Sequence, residues 1–519
     1  MIPRRDFASQ LTLAGLGAYF STSTLFGNAT QVAPDRARPN VTSGIASGDV
    51  TCDSAIIWSR ADRPSRMFVE VAASESFQNS HQFCGPDALS GDDFTAKLRL
   101  TGLPSGQRIF YRVQFQDLDH ARKPSAPVMG QFVTAPADYS DVTFVWSGDT
   151  AGQGYGIDAA RGGMVTYETM RKLSPDFFVH SGDTVYCDNP FPAEIQLEDG
   201  TTWTNIVTEE TSKVAESLSE FRANFRYNLL DENVRRFNTE VPMFAQWDDH
   251  ETTNNWYPGE ILDDARYTVK SASLLAARAR QAFFEYMPIR GLADAQQRIY
   301  RSVPYGPLLE LFFIDLRSYR GANSKNRQED SSPGTDFLGR GQLQWLKRSL
   351  LNSRATWKVI CSDMPLGLIV HDSGDAFENG ANGNGPPLGR ELEIASLLRF
   401  IKDNAIRNTV WLTADVHYAA SHYYNPSHAQ FQEFDPFWEF VSGPLHGGTA
   451  GPNALDNTFG PEVRFCSVPK GMPPNRPPSE GLQFFGMVHI DGQTRVLTVT
   501  HLNAAGDQLW SLDLEPSAG

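Results

Sequence analysis

Cysteine is scarce. The 519 residues contain five, at positions 52, 84, 187, 361 and 466. That is too few for a disulfide-framed scaffold, and the odd count leaves at least one thiol free; a bridge between Cys52 and Cys84 stays open. No stretch approaches the roughly 18 apolar residues that a membrane-spanning helix needs, so no transmembrane anchor is expected. Positive charge is in short supply too: 45 Lys and Arg face 61 Asp and Glu, for a formal charge of −16. A protein that tracks a nucleic-acid backbone needs the reverse, so no nucleic-acid-binding surface is expected. The acidic balance does not exclude a phosphate-handling enzyme whose positive charge comes from metal ions. Internal repeats and low-complexity runs are absent. What is present is material for a core, with 40% hydrophobic and 11% aromatic residues. The length suits several domains, or one large domain with additions.

Residues 1–29 have the layout of an export signal: Arg4 and Arg5, then Phe7, a weakly apolar run from Leu11 to Phe20, and small residues at Gly27 and Ala29. Paired arginines followed by Asp6-Phe7 resemble a bacterial twin-arginine signal, which implies the twin-arginine export machinery and a periplasmic or secreted location. Residues 30–42 read as a linker. Residues 43–136 carry short alternating runs such as SAIIWSRA, MFVEVAAS and IFYRVQFQD, separated by turn signals, and predict a small all-β sandwich of immunoglobulin or fibronectin type. Residues 137–519 alternate buried strands with helices such as GRGQLQWLKRSLL and GRELEIASLLRFIKDN, which predicts a layered α/β domain. The tail after 484 reads as antiparallel strands, residues 203–236 as helix-like, and 451–480 as a long surface loop.

The chemistry is concentrated where apolar strands end. VTFVWSGD ends in Asp149, DFFVHSGDTVY in Asp183 and Tyr186, VPMFAQWDDHE in Asp248, Asp249, His250 and Glu251, and NTVWLTADVHY in Asp415 and His417. A fifth, ATWKVICSDMP, ends with Asp363. In open α/β sheets ligands bind beyond the carboxyl ends of the strands. Carboxylates converging there repel one another unless a counter-charge is supplied, and oxygen-rich donor sets suit hard di- or trivalent cations. Two cations sharing one carboxylate would lie about 3.5–4 Å apart and clamp a phosphoryl group. His180, inside a strand, reads as a hydrogen-bonded core residue, and Cys187 as a buried inert thiol. Asn254-Asn255 could bind phosphate oxygens or cap a helix. The His-Gly-Gly at 446–448 reads as a loop near the site.

With these residues in view, the chain resembles the alkaline phosphatase D (PhoD-like) family, a branch of the calcineurin-like and purple-acid-type metallophosphoesterases. SGIASGDVTCDSAIIWSR resembles the opening of the family's N-terminal sandwich, and HSGDTVY, WDDHETTNNW, FFIDLRSYR and TADVHY its catalytic blocks. The resemblance implies a four-layer α/β/β/α catalytic domain. It implies one metal site from Asp149, the bridging Asp183, Tyr186 and His417, suited to Fe3+. It implies a second from Asp183, Asp249 and Asp415, with Asp363 as a further ligand. That set is almost all carboxylate and favours Ca2+, Mg2+ or Mn2+ over Zn2+. His250 falls near the leaving group and would donate a proton to it, held by Glu251 or Asp248.

The expected activity is hydrolysis of phosphate monoesters or diesters, on a small-molecule or lipid substrate, by attack of a metal-bound hydroxide. A phospholipase D-like phosphodiesterase of the same fold is the alternative. An exported, non-catalytic calcium-binding protein is the rival from another class, but structural calcium loops have no need of Tyr186, His250 and His417.

Overall fold

The computed structural model describes residues 38–119, 123–290 and 298–517. The expected export signal lies outside the described residues. The described residues divide into two compact units, one within 38–137 with 238–243 and 285–290, the other of 138–237, 244–284 and 298–517.

The first unit contains β1 (Val41–Gly48), β2 (Ser54–Ala61), β3 (Ser65–Ala72), β4 (His81–Ala88), β5 (Thr95–Thr101), β6 (Arg108–Asp117) and β7 (Val128–Val133). β1, β2 and β5 are antiparallel neighbours, and β4-β3-β6-β7 form a second antiparallel set. The alternating runs account for β2, β3, β5, β6 and β7. β4 escapes a reading by propensity because Gly85 and Pro86 interrupt it, yet its side chains still alternate between solvent and partial burial. Within this unit Cys52 and Cys84 are both exposed free thiols, and among the described residues no disulfide forms.

The second unit contains β8 (Val142–Ser147), β9 (Phe177–His180), β10 (Glu194–Gln196), β11 (Thr202–Thr204), β12 (Met243–Ala245), β13 (Arg301–Tyr305), β14 (Leu309–Phe313), β15 (Trp357–Cys361), β16 (Thr409–Thr413), β17 (Ala420–Tyr424), β18 (Phe437–Val441), β19 (Pro461–Cys466), β20 (Phe484–Ile490), β21 (Leu497–Asn503) and β22 (Gln508–Leu514). Its helices are α1 (Val165–Lys172), α2 (Leu218–Asn228), α3 (Glu232–Glu240), α4 (Ala272–Tyr286), α5 (Gly339–Asn352) and α6 (Glu391–Asp403), the ends of α3 and α4 falling in the first unit.

One sheet runs β22-β21-β20-β8-β9-β12 and the other β13-β14-β15-β16-β18-β17-β19. The sheets pack face to face through aromatic side chains. Phe177 meets Tyr305 at 4.6 Å between ring centres, Phe244 stacks on Phe313 at 6.2 Å, and Phe440 meets Trp510 at 6.2 Å. On the outer face of the first sheet, Tyr167 of α1 and Phe237 of α3 pack on Phe178. On the outer face of the second, Leu343, Leu346 and Leu350 of α5 and Ile394, Leu397 and Ile401 of α6 join a core with Phe312, Ile360 and Trp411. The layers are therefore α/β/β/α, with the N-terminal all-β unit before them.

Two local expectations differ. The segment read as helix-like from 203 begins its first helix only at Leu218, where Ser217 and Glu220 form a reciprocal capping box. Before it, β10 and β11 pair as a hairpin around the Asp199-Gly200 turn. The stretch read as loop from 451 contains β19, an edge strand held against β17.

Parallel pairing sets the site. β8 pairs with β9, and β14, β15, β16 and β18 are parallel neighbours in turn, so their carboxyl ends share a rim. Phe177→Ala, which empties the contact between Phe144, Phe244 and Tyr305, is expected to cost about 3–5 kcal/mol, read as a lowered denaturant midpoint.

Candidate metal centre

The strand ends deliver their acids through strained backbone. Asp149 (φ 67°), Asp183 (φ 52°), Asp415 (φ 69°) and His417 (φ 61°) all adopt the left-handed conformation that non-glycine residues avoid. Such outliers persist where the surroundings over-determine them, and they gather at functional sites. Gly182 is itself left-handed (φ 111°), and a Cβ there would fall 2.6 Å from the Asp248 Cβ. This close approach brings the end of β9 against the loop after β12.

Three groups result, each with donor atoms within 4.8 Å of one another: Asp149 with Asp183 and His417; Asp183 with Asp249 and His250; and Asp248 with Asp249 and Asp415. Asp183 belongs to two of them. Tyr186 joins the first group through its hydroxyl, 2.9 Å from His417 Nε2, with the His417 nitrogen 3.5 Å from Asp149. Gly152 makes room for this ring, since a Cβ there would meet the phenol at 2.4 Å. The loop after β18 fixes the imidazole: His417 Nδ1 donates to the Gly448 carbonyl at 2.5 Å, which leaves Nε2 as the electron-pair donor. The His446 carbonyl accepts from the Ala151 and Gly152 amides, and its ring bonds Gly156, so the 446–448 loop braces the segment after Asp149.

His250 stacks on Tyr186 with ring centres 4.3 Å apart. Its Nδ1 is held by Asp188 at 2.7 Å, not by Glu251 or Asp248 as expected. Both of those acids are otherwise engaged. Glu251 accepts from the amides of Asp183 (3.2 Å), Thr184 (2.6 Å) and Asp248 (2.8 Å), locking two strand-end loops together. Asp248 pairs with Arg317 at 2.5 Å. The other oxygen of Asp188 accepts from the Asn254 amide, and the Asn255 amide donates to Asp249, so these two asparagines brace acids through their backbone.

Asp363 is fully buried but stands outside all three groups; its nearest charged partner is Arg317 at 3.8 Å. His180 is a core residue with Nε2 bonded to Thr150, and Cys187 is buried with its thiol pushed up by desolvation. Sequence reasoning missed Asp188, Arg317 and Glu378. Asp188 lies two residues beyond Tyr186, and Arg317 two beyond the strand-end acid Asp315, but only folding reveals their partners.

Burial, then the neighbouring Asp248, raises Asp149 well above the usual carboxylate range; burial and Asp249 do the same to Asp183, and burial and Glu378 to Asp415. Asp249 is held low instead: His250, Arg317 and the Asn255 amide outweigh its desolvation. Burial also keeps the Tyr186 phenol neutral and lowers His417 to about 4, so its imidazole is neutral. Desolvation pulls His250 down, but Asp188 and Asp249 outweigh it and raise the ring to about 10. Asp149 Oδ2, Asp249 Oδ1 and Asp363 Oδ2 are buried with no hydrogen-bond partner. Orphaned carboxylate oxygens beside a phenol and a neutral imidazole fit hard cations and fit little else. Above them opens a cleft of about 660 Å³, lined by Asp183, Asp249, His250, Asp415 and His417 at its floor. Polar residues such as Gln153, Asn254, Asn453 and Asn475 line its walls.

Facing sheets flanked by helices, with a rim of carboxylates, imidazole and phenol, mark the class of metal-dependent phosphoesterases. The family model described as PhoD-like phosphatase matches residues 144–501, and the one described as its N-terminal domain matches 27–136. The chain belongs to the PhoD-like phosphatase family. Alkaline phosphatase D of Bacillus subtilis is 27% identical over 406 residues, a match spanning 74% of this chain and 66% of that protein's length, just under two thirds. A solved structure of PhoD superposes with a TM-score of 0.71 at 20% identity, covering 93% of this chain and 92% of the other. A purple acid phosphatase from yellow lupin superposes at 0.55 with 12% identity, covering 92% and 74%.

The raised acids predict a pH signature. Burial raises Glu251 and Glu378 to about 7, so the folded apo protein holds protons there that the unfolded chain, with an ordinary value of 4.5, has released. Stability from these groups is complete below pH 4.5 and is lost as pH rises to about 7. In chelator, the melting temperature should fall across that window. Added divalent cation should flatten or reverse the trend.

Proposed function

We propose that the chain is an exported, metal-dependent phosphoesterase that hydrolyses phosphate monoesters or diesters. The carrying observation is Asp183, shared between two donor groups whose neighbours Asp149 and Asp249 keep orphaned buried oxygens. Asp149, Asp183, Tyr186 and His417 would hold the first cation; phenol and imidazole among the donors suit Fe3+. Asp183, Asp249 and Asp415 would hold the second, Ca2+, Mg2+ or Mn2+. Asp363 lies outside the three donor groups, 3.8 Å from Arg317, and keeps a buried oxygen with no hydrogen-bond partner. Bound there, the cations supply Lewis acidity and lower the pKa of water to the neutral range.

The chain's own residues do the rest. Asp183 orients both groups and is itself oriented, its Oδ1 accepting the His250 amide at 3.1 Å. Asp188 holds the His250 ring by Nδ1, leaving Nε2 for the cleft. From there His250 delivers a proton to the departing alkoxide oxygen, with the Asp188 carboxylate favouring the charged ring. The Arg4–Arg5 leader supports export by the twin-arginine route.

Asp183→Asn should remove most bound metal and nearly all activity, measured by elemental analysis and by hydrolysis of a nitrophenyl monoester and diester. His250→Ala should keep its metals and slow substrates with poor leaving groups far more than nitrophenyl esters. Loss of metal from His250→Ala would overturn its role. A visible phenolate–Fe3+ charge-transfer band, lost in Tyr186→Phe, would establish the first site; its absence from iron-loaded protein would refute it.

A further inference from the structure

Arg317 is fully buried and reaches five carboxylates. Its Nε lies 2.5 Å from Asp248 and 3.8 Å from Asp363. Its Nη2 lies 2.5 Å from Glu378, 3.6 Å from Asp249 Oδ1 and 3.9 Å from Asp415 Oδ1. The close pair, Asp248 and Glu378, is consumed by the guanidinium. The distant pair, Asp249 and Asp415, are the acids assigned to the second cation. No ion pair of Arg317 reaches Asp149, Tyr186 or His417. The two candidate sites therefore share Asp183 and both lie near His250, but only acids of the second pair with a guanidinium.

We propose that Arg317 is a resident counter-ion with which the second cation competes for Asp249 and Asp415, so that removing its charge tightens that site. The inference rests on the two-site reading above. The physics is Coulombic. Asp249 and Asp415 already face a fixed unit charge under 4 Å away at the floor of the cleft, so an arriving cation gains less from them and is repelled by the guanidinium. Arg317 also holds these acids in place before metal arrives, which makes it a positioning residue and not a catalytic one.

The test is direct titration of Mn2+ into the chelator-stripped full chain, with free ion counted by electron paramagnetic resonance. Wild type should show two classes of site separated by about tenfold or more in Kd. In Arg317→Met the weaker class should tighten by about tenfold or more. The stripped variant should also melt lower than wild type and recover more on adding Mn2+, because the ion takes over the missing charge. Arg317→Lys, which keeps the charge, should retain the weak class. A single class in wild type, or a weak class unchanged or weaker in Arg317→Met, would overturn the proposal. Should Arg317→Met not fold at any Mn2+ concentration, the class separation in wild type and in Arg317→Lys decides. Wild type that binds no Mn2+ would refute the two-site reading itself.

Discussion

Mutual repulsion among buried carboxylates is the constraint on which the centre depends. Asp149, Asp183, Asp248, Asp249, Glu251, Asp363 and Glu378 are withdrawn from solvent and Asp415 partly so, while among the described residues Arg317 is the one arginine paired with several of them. Charge gathered at this density is stable only if protons, a guanidinium or metal ions neutralise it. The acids divide accordingly. Glu251 is spent on backbone amides and Asp248 on Arg317, while Asp149, Asp249 and Asp363 each keep an oxygen with no hydrogen-bond partner. The first kind holds the loops, and the second kind is what cations require.

The fold makes this density possible without loops wandering through the interior. Parallel strands end at one level, so acids from β8, β9, β12 and β16 arrive together although their positions in the chain span more than half its length. Packing then fixes orientation: Gly152 leaves room for the phenol of Tyr186, Gly448 sets the tautomer of His417, and Asp188 holds the ring of His250.

The layered α/β domain, the sandwich before it and the acids at strand ends were legible because each leaves a local signature: period, turn chemistry, or an apolar run closing in Gly-Asp. What was not legible depends on contacts between distant residues. Asp188 meets His250 across 62 positions, and Arg317 meets Asp248 across 69. Neither stands out in its own segment. The choice of Asp188 over Glu251 as the histidine's partner is decided by which acid is already occupied by amides, and sequence does not show occupancy. Asp363 ends its strand just as Asp149 does, yet its carboxylate faces Arg317 outside the donor groups, a difference of direction that spacing cannot express. The helix pattern read from 203 was misleading until Ser217, since residues 202–204 close a hairpin and the polar residues after them form irregular chain with one short 3-10 turn at 210–212.

The left-handed backbone at Asp149, Asp183, Asp415 and His417 also limits what evolution can try at these positions. Asparagine and glycine tolerate that conformation best, whereas valine, isoleucine and threonine would clash with their own main chain before their ligand chemistry came into play. Drift toward a different metal preference is thereby filtered by steric compatibility first and by donor hardness second. A lineage changing its metal has more freedom at Asp249, where the backbone is not left-handed, than at the acid shared by both donor sets.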